Sequence, residues 1–210
     1  ISDADFGNAA FPFSTSQLVT IADHTVRATR ITYVGELGWE LYIPNASAVA
    51  VYEAIMRAGK AHGIVNAGYY AINALRLEKG YRAWPAELSP DYTPLEAGLL
   101  FACKLKTDIP FLGREALEAQ IRGGAERTLV SVVLDNPNVM MWGGELVMHD
   151  GKGVGQITSA AWAVETGTGV GLAYIRGGTD GNFEVNVGGQ RCSARISRQG
   201  PYDPANARIR

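Results

Sequence analysis

Glu40 is a carboxylate set among aromatic rings. It lies in the stretch Ile31-Thr-Tyr-Val-Gly-Glu-Leu-Gly-Trp-Glu-Leu-Tyr-Ile-Pro44, where two β-branched and aromatic runs flank Gly35-Glu-Leu-Gly38. That is the pattern of a hairpin. With the turn centred on Glu36 and Leu37, Tyr33 falls opposite Glu40, Ile31 opposite Tyr42 and Val34 opposite Trp39. Strand alternation then gathers Val34, Trp39, Leu41 and Ile43 on one apolar face, and Ile31, Tyr33, Glu40 and Tyr42 on the other. A carboxylate on that second face has two uses. It faces water at an exposed edge, as charged residues mostly do, or it meets a planar heterocycle whose ring N–H and amino group both point at it, with Tyr33 alongside. A three-residue loop with Gly38 in a bulge is the competing register and sets Tyr33 opposite Leu41. Spacing leaves these readings open.

Arg76 is the second residue with chemical potential. It falls near the middle of a predicted helix from Tyr69 to Lys79 that Gly80 stops. A guanidinium on a helix with this much apolar surface is a candidate anion contact; the alternatives are an ion pair with Glu78 or Glu53, or solvent. Other chemistries find no pattern. His24, His62 and His149 are scattered without metal-ligand spacing, and no G-x-S-x-G frames a nucleophile. Gly151-Lys-Gly-Val-Gly155 and Gly167-Thr-Gly-Val-Gly171 lack the last glycine of a dinucleotide loop and open no helix, so they read as hairpin glycines.

Around these residues the pattern predicts two kinds of architecture. Residues 1–20 are irregular, with Phe11 and Phe13 around Pro12 as loop anchors. Gln17–Ile21 and Val26–Val34 read as strands, followed by a helix capped by Asn45 and ended by Gly63. Tyr81–Leu99 has no periodicity, and loops of that length in compact domains are usually functional or disordered; Trp84, Tyr92 and Leu95 argue for packing across a site. Leu99–Leu105 is a further strand candidate, and a short helix after Phe111 ends near Arg122-Gly123. From Glu126 the pattern changes to short strands separated by glycines: Thr128–Leu134, Glu145–His149, Gly153–Thr158, Val170–Tyr174, Phe183–Val187 and Gln190–Ser197. Asp150-Gly151 and Gly188-Gly189 suit hairpin turns. Six strands without a long helix predict a small antiparallel barrel, and the tail from Pro201 reads as an irregular strap. Gly123-Gly124 marks the domain boundary, with residues 1–122 before it and 123–210 after.

Composition narrows the class. The 210 residues can hold one large domain or two small ones, and 47% hydrophobic with 19% charged residues is ordinary for a globular chain. A formal charge of −2 with no basic run excludes a nucleic-acid footprint, and no apolar run approaches the roughly 18 residues of a membrane span. Cys103 and Cys192 could pair, but two cysteines in a chain of this size read more readily as reduced thiols of an intracellular protein. The start at Ile1 reads as a piece cut from something longer.

Four motifs recur in order: Tyr-Val-Gly-Glu-Leu-Gly-Trp-Glu-Leu-Tyr (33–42), Ala-Leu-Arg-Leu-Glu-Lys-Gly (74–80), Phe-Leu-Gly-Arg-Glu-Ala-Leu (111–117) and Asp-Gly-x-Gly-Val-Gly-x-Ile-Thr-Ser (150–159). With them the chain resembles the aminomethyltransferase (T-protein) family of the glycine cleavage system. Within it the chain is most similar to the folate-binding C-terminal part of sarcosine and dimethylglycine dehydrogenases. The resemblance implies an α+β chain: an incomplete folate-binding α/β domain of the T-protein type over residues 1–122, then an antiparallel β-barrel over 123–210. It implies tetrahydrofolate as cofactor, with Tyr33 and Glu40 against the pterin and Arg76 near the anionic folate tail. Glu36 belongs to the turn and Trp39 to the core.

The same resemblance places the acid–base Asp of the family before Ile1. Neither Asp3 nor Asp5 has the matching context, so no catalytic residue is assigned and the chain alone is expected to be inactive. Implied partners are folate and an amine-derived one-carbon donor, with an upstream flavin domain carrying FAD, or a lipoyl carrier protein. The implied location is the cytoplasm, or the mitochondrial matrix in a eukaryote. The alternative is a non-catalytic folate-binding or assembly factor on the same fold. Such relatives carry a Lys-Gly-Cys-Tyr motif, whereas Lys79-Gly80-Tyr81-Arg82 here has no Cys.

Overall fold

A three-stranded antiparallel sheet and a closed six-stranded barrel carry most of the regular structure. The computed structural model describes residues 1–209, which form two units. One holds Ile1–Ile72 and the tail from Ala205; the other is Asn73–Pro204.

In the first unit, β1 (Ser16–Ile21) and β2 (His24–Thr29) pair in register Ile21↔His24 through Ser16↔Thr29. Ala22 and Asp23 form the two-residue turn, both at positive φ, which matches the right-handed twist of the strands. Alternation sends Val19, Ile21, Val26 and Ala28 inward onto Phe11 and Val51, the last from α1 (Ala48–Gly59). Trp39, Leu41 and Ile43, partly buried, pack on the same cluster, so these three of the apolar set read from the sequence face the core. Asn45 does not cap the helix: it opens a 3-10 turn after Pro44, and no side chain caps that turn. Gly63, left-handed at φ 73°, closes the segment.

The expected hairpin across Gly35–Gly38 does not form. β2 stops at Thr29, and its partner β3 is only Glu40–Tyr42, in register Thr29↔Glu40 and Arg27↔Tyr42. Residues 30–39 are a loop, so Tyr33 is opposite neither Glu40 nor Leu41, whose partners are Thr29 and Ala28. The cause is local. Arg30 turns its backbone to the preceding segment: its N–H donates to the Thr15 carbonyl, and the Ser14 N–H donates to the Arg30 carbonyl. The Thr32 hydroxyl then accepts from the Val34 and Gly35 amides, folding the chain before a second strand can extend.

In the second unit the barrel strands are β4 (Thr128–Leu134), β5 (Leu146–His149), β6 (Lys152–Ala163), β7 (Thr168–Ile175), β8 (Phe183–Val187) and β9 (Gln190–Ser197). They close in the order β4-β7-β6-β5-β8-β9, every pair antiparallel. Val130, Val132, Val147, Ile157, Ile175 and Val185 fill the interior. The outer face of β4 and β7 is covered as well: Leu129, Val133, Val170, Leu172 and Tyr174 pack against Leu77 and Ala97, with Leu88 and Tyr92 alongside. All eight residues of β7 are therefore buried.

The helix α2 (Tyr69–Glu78) supplies Leu77 to that cover. The segment after it is the aperiodic stretch 81–99, which lies over the barrel wall as an ordered layer. Leu99–Leu105 is not a strand; Leu100–Ala102 is a 3-10 turn, because the barrel pairs each strand on both sides and leaves no edge to join. The short helix is α3 (Arg114–Gly123). The strap is tied down: Lys79 Nζ donates to the Asp203 carboxylate at 2.7 Å and to its carbonyl at 2.6 Å, and Tyr202 N–H donates to the Glu78 carbonyl. The two glycine runs are mostly strand, not turn: Gly155 lies in β6 and Gly171 in β7. A Cβ on Gly155 would overlap the Tyr174 carbonyl oxygen, so close strand approach requires glycine there.

Candidate functional site

Glu40 opens β3 and is exposed beside Tyr42. The Tyr42 hydroxyl donates to Glu40 Oε2 at 2.7 Å. That bond, with the carboxylate charge behind it, holds the Tyr42 phenol above its ordinary pKa. Glu40 is thereby oriented while keeping acceptor capacity toward solvent, which suits paired N–H donors. Tyr33 sits in the 30–39 loop of the same unit, 38% exposed, so both residues read from the motif are presented at the surface of one unit.

Arg76 is in the other unit and is not presented. It is 2% exposed, and each of its five N–H groups is used internally. Nε and Nη2 donate to Asn73 Oδ1, Nη1 to the Tyr81 carbonyl and to Glu87 Oε2 at 2.9 Å, and Nη2 to Ser159 Oγ at 2.8 Å. Its carboxylate partner is Glu87, not Glu78 or Glu53. A carboxylate from a ligand would have to displace one of these bonds.

Glu87 is the residue that sequence reading missed. It is fully buried and accepts four hydrogen bonds: from Arg76 Nη1 and the Ala83 amide on Oε2, and from the Thr158 and Ser159 hydroxyls on Oε1. The Tyr174 hydroxyl donates to its backbone carbonyl at 2.9 Å. Glu87 so joins α2, the 81–99 layer and strands β6 and β7. Next to it Tyr174 stacks on Tyr92 at 3.8 Å, and the Arg127 guanidinium lies over Tyr92 at 4.9 Å. Burial, with the neighbouring Tyr92, pushes the Tyr174 phenol far above its ordinary value. Burial alone would push the Glu96 carboxyl up, but the Thr93 amide and Arg127 outweigh it and hold it below the ordinary range. The only signal for Glu87 in the sequence was its position in a long aperiodic stretch.

Among the described residues no three His, Cys, Asp or Glu side chains converge as a metal cluster. Cys103 and Cys192 are free thiols. An apolar cavity of about 290 Å³ lies in the second unit between Trp84, Leu88, Tyr92, Leu99 and Cys103; Arg76 does not line it. No helix among the described residues is long and apolar enough to cross a membrane.

Mixed helices and strands with a closed six-stranded antiparallel barrel define an α+β protein of the T-protein fold. The chain belongs to the GCVT family: residues 1–107 match the GCVT N-terminal domain and residues 127–203 the glycine cleavage T-protein C-terminal barrel domain. It is 46% identical over 220 residues to mitochondrial sarcosine dehydrogenase of Mus musculus, across 100% of this chain and 24% of that protein. It is 40% identical over 175 residues to mitochondrial dimethylglycine dehydrogenase of Homo sapiens, across 83% of this chain and 20% of that protein. The chain thus spans about a quarter or less of the length of these relatives. Its fold matches the crystal structure of the glycine cleavage system aminomethyltransferase T from Bartonella henselae, with TM-score 0.81 at 21% identity over 96% of this chain and 55% of that one.

Proposed function

We propose that this chain is a tetrahydrofolate-binding module of a one-carbon transferase, with Tyr33 and Glu40 contacting the pterin. The observation that carries the reading is the exposed Glu40 carboxylate, oriented by Tyr42 and retaining acceptor capacity. The ring N–H and amino group of a pterin form two parallel donors, and an ionised carboxylate is their natural acceptor. For Arg76, the fully used guanidinium supports a positioning role for the α2 end over a direct bond to the anionic folate tail. Residues 1–122 are the C-terminal portion of the folate-binding domain in this proposal, and 123–210 the barrel domain.

In the whole protein, folate would receive the one-carbon unit from an amine-derived donor. FAD enters only through a flavin domain elsewhere in that protein; a lipoyl carrier protein is the alternative source of the donor. The sarcosine and dimethylglycine dehydrogenases support the amine class and, by their names, a mitochondrial location.

Calorimetric titration of the chain with 5-formyltetrahydrofolate tests the site. Glu40→Ala is expected to weaken binding at least tenfold, the loss of a charge-assisted pair worth about 1.5–3 kcal/mol, while thermal stability stays unchanged. Equal affinity in wild type and variant would remove Glu40 from the site. Binding by a full-length protein that shows no one-carbon transfer would favour the non-catalytic folate-binding or assembly factor.

A further inference from the structure

Two arginines of this chain are buried to nearly the same degree and are served very differently. Arg76, 2% exposed, has a carboxylate and a partner for each of its five N–H groups. Arg30, 1% exposed, has two bonds: Nη1 to the Phe11 carbonyl at 2.6 Å and Nη2 to the Asn8 carboxamide oxygen. Its Nε has no partner, and among the described residues no Asp or Glu lies within ion-pairing distance of it. The face of Trp39 at 5.6 Å gives some cation–π support but no counter-charge. Buried charges are ordinarily paired, because the lost hydration must be replaced.

What covers the guanidinium is a surface turn. Residues 7–10 are exposed, the turn is closed by the Phe11 N–H donating to the Gly7 carbonyl, and the Asn8 side chain ties it to Arg30. A neutral carboxamide stands where a buried arginine calls for an anion. We propose that Arg30 is a receiving site for a small oxyanion, a carboxylate or a phosphate group, that enters beneath the 7–10 turn and accepts from Nε and Nη2 together. Either group offers two oxygens at the spacing of the guanidinium fork. The inference is independent of folate binding, since it uses neither Tyr33 nor Glu40.

The test is thermal unfolding of the 210-residue chain in chloride, acetate or phosphate at equal ionic strength, with wild type and Asn8→Asp. In wild type, acetate or phosphate raises the midpoint saturably above chloride, and the more effective anion names the group. Asn8→Asp supplies the carboxylate from within: its midpoint in chloride rises by about 2 °C or more, and the added response to the anions is lost. The proposal is overturned if Asn8→Asp leaves or lowers the midpoint in chloride. It is equally overturned if acetate and phosphate act alike on both proteins, because that is general exclusion of salts from protein surface.

Discussion

Replacing Glu87 by Ala should be among the most damaging single changes in the second unit, and the structure gives the size. The side chain is fully buried and its four accepted bonds include one from the buried Arg76. Truncation leaves a guanidinium without its counter-charge, which costs about 3–5 kcal/mol. In a chain of this length that is roughly 6–20 °C in melting temperature. Glu87→Gln keeps the volume and an oxygen for Arg76 and the Ala83 amide, and turns its NH₂ toward hydroxyls that can rotate to accept. Its cost should stay near 1–3 kcal/mol. The double variant Arg76→Met/Glu87→Leu removes both charges together, so it should be less destabilised than the two single losses summed, by about 1 kcal/mol or more. Urea unfolding with a constant slope reads all of these as midpoint shifts. Additive losses, or a Glu87→Ala cost below about 1 kcal/mol, would refute the idea that this pair holds α2 to the barrel.

Two further outcomes follow from geometry described above. Gly155→Ala should cost at least about 2 kcal/mol, because the new Cβ meets the Tyr174 carbonyl and the Ile175 backbone, neither of which can swing aside; Gly178→Ala, with only Asp180 N at 4.0 Å, should be near neutral in the same urea assay. The lowered Glu96 carboxyl gives stability that is complete above the ordinary value of 4.5 and is lost as the pH falls through the lower folded-state value. Wild type should therefore lose its advantage over Glu96→Gln as acid is added below about pH 5, and a difference in unfolding free energy that does not change with pH would contradict this.

The barrel was legible in the sequence because its signals are local. Thr128–Leu134, Phe183–Val187 and Gln190–Ser197 are β-branched or alternating runs bounded by turn-forming residues, and they appear as strands with those same ends. The 31–44 stretch carried the same signal and folded otherwise. What decides it is Arg30, whose contacts reach back to Asn8, Phe11 and Thr15, beyond any hairpin window. Leu99–Leu105 had strand composition but no edge to join. Of the proposed site residues, Glu40 and Tyr33 are marked by a motif; Glu40 is exposed on β3 and Tyr33 in the loop before it. Glu87 was invisible because its partners are 4, 11, 71 and 72 residues away, and no periodicity joins an aperiodic stretch to a barrel wall.

The burial of β7 on both faces bears on how this family can be cut and recombined. The coat over its outer face comes from residues 77–99, which belong to the segment matching the N-terminal family domain, while the strand belongs to the C-terminal one. A barrel excised at Gly123-Gly124 would carry Leu129, Val133, Val170 and Leu172 bare to water. The two sequence families are therefore not two modules in the physical sense. A shuffling event, natural or engineered, that moves the barrel must move the end of α2 and its following layer with it, and Arg76 and Glu87 travel in that piece.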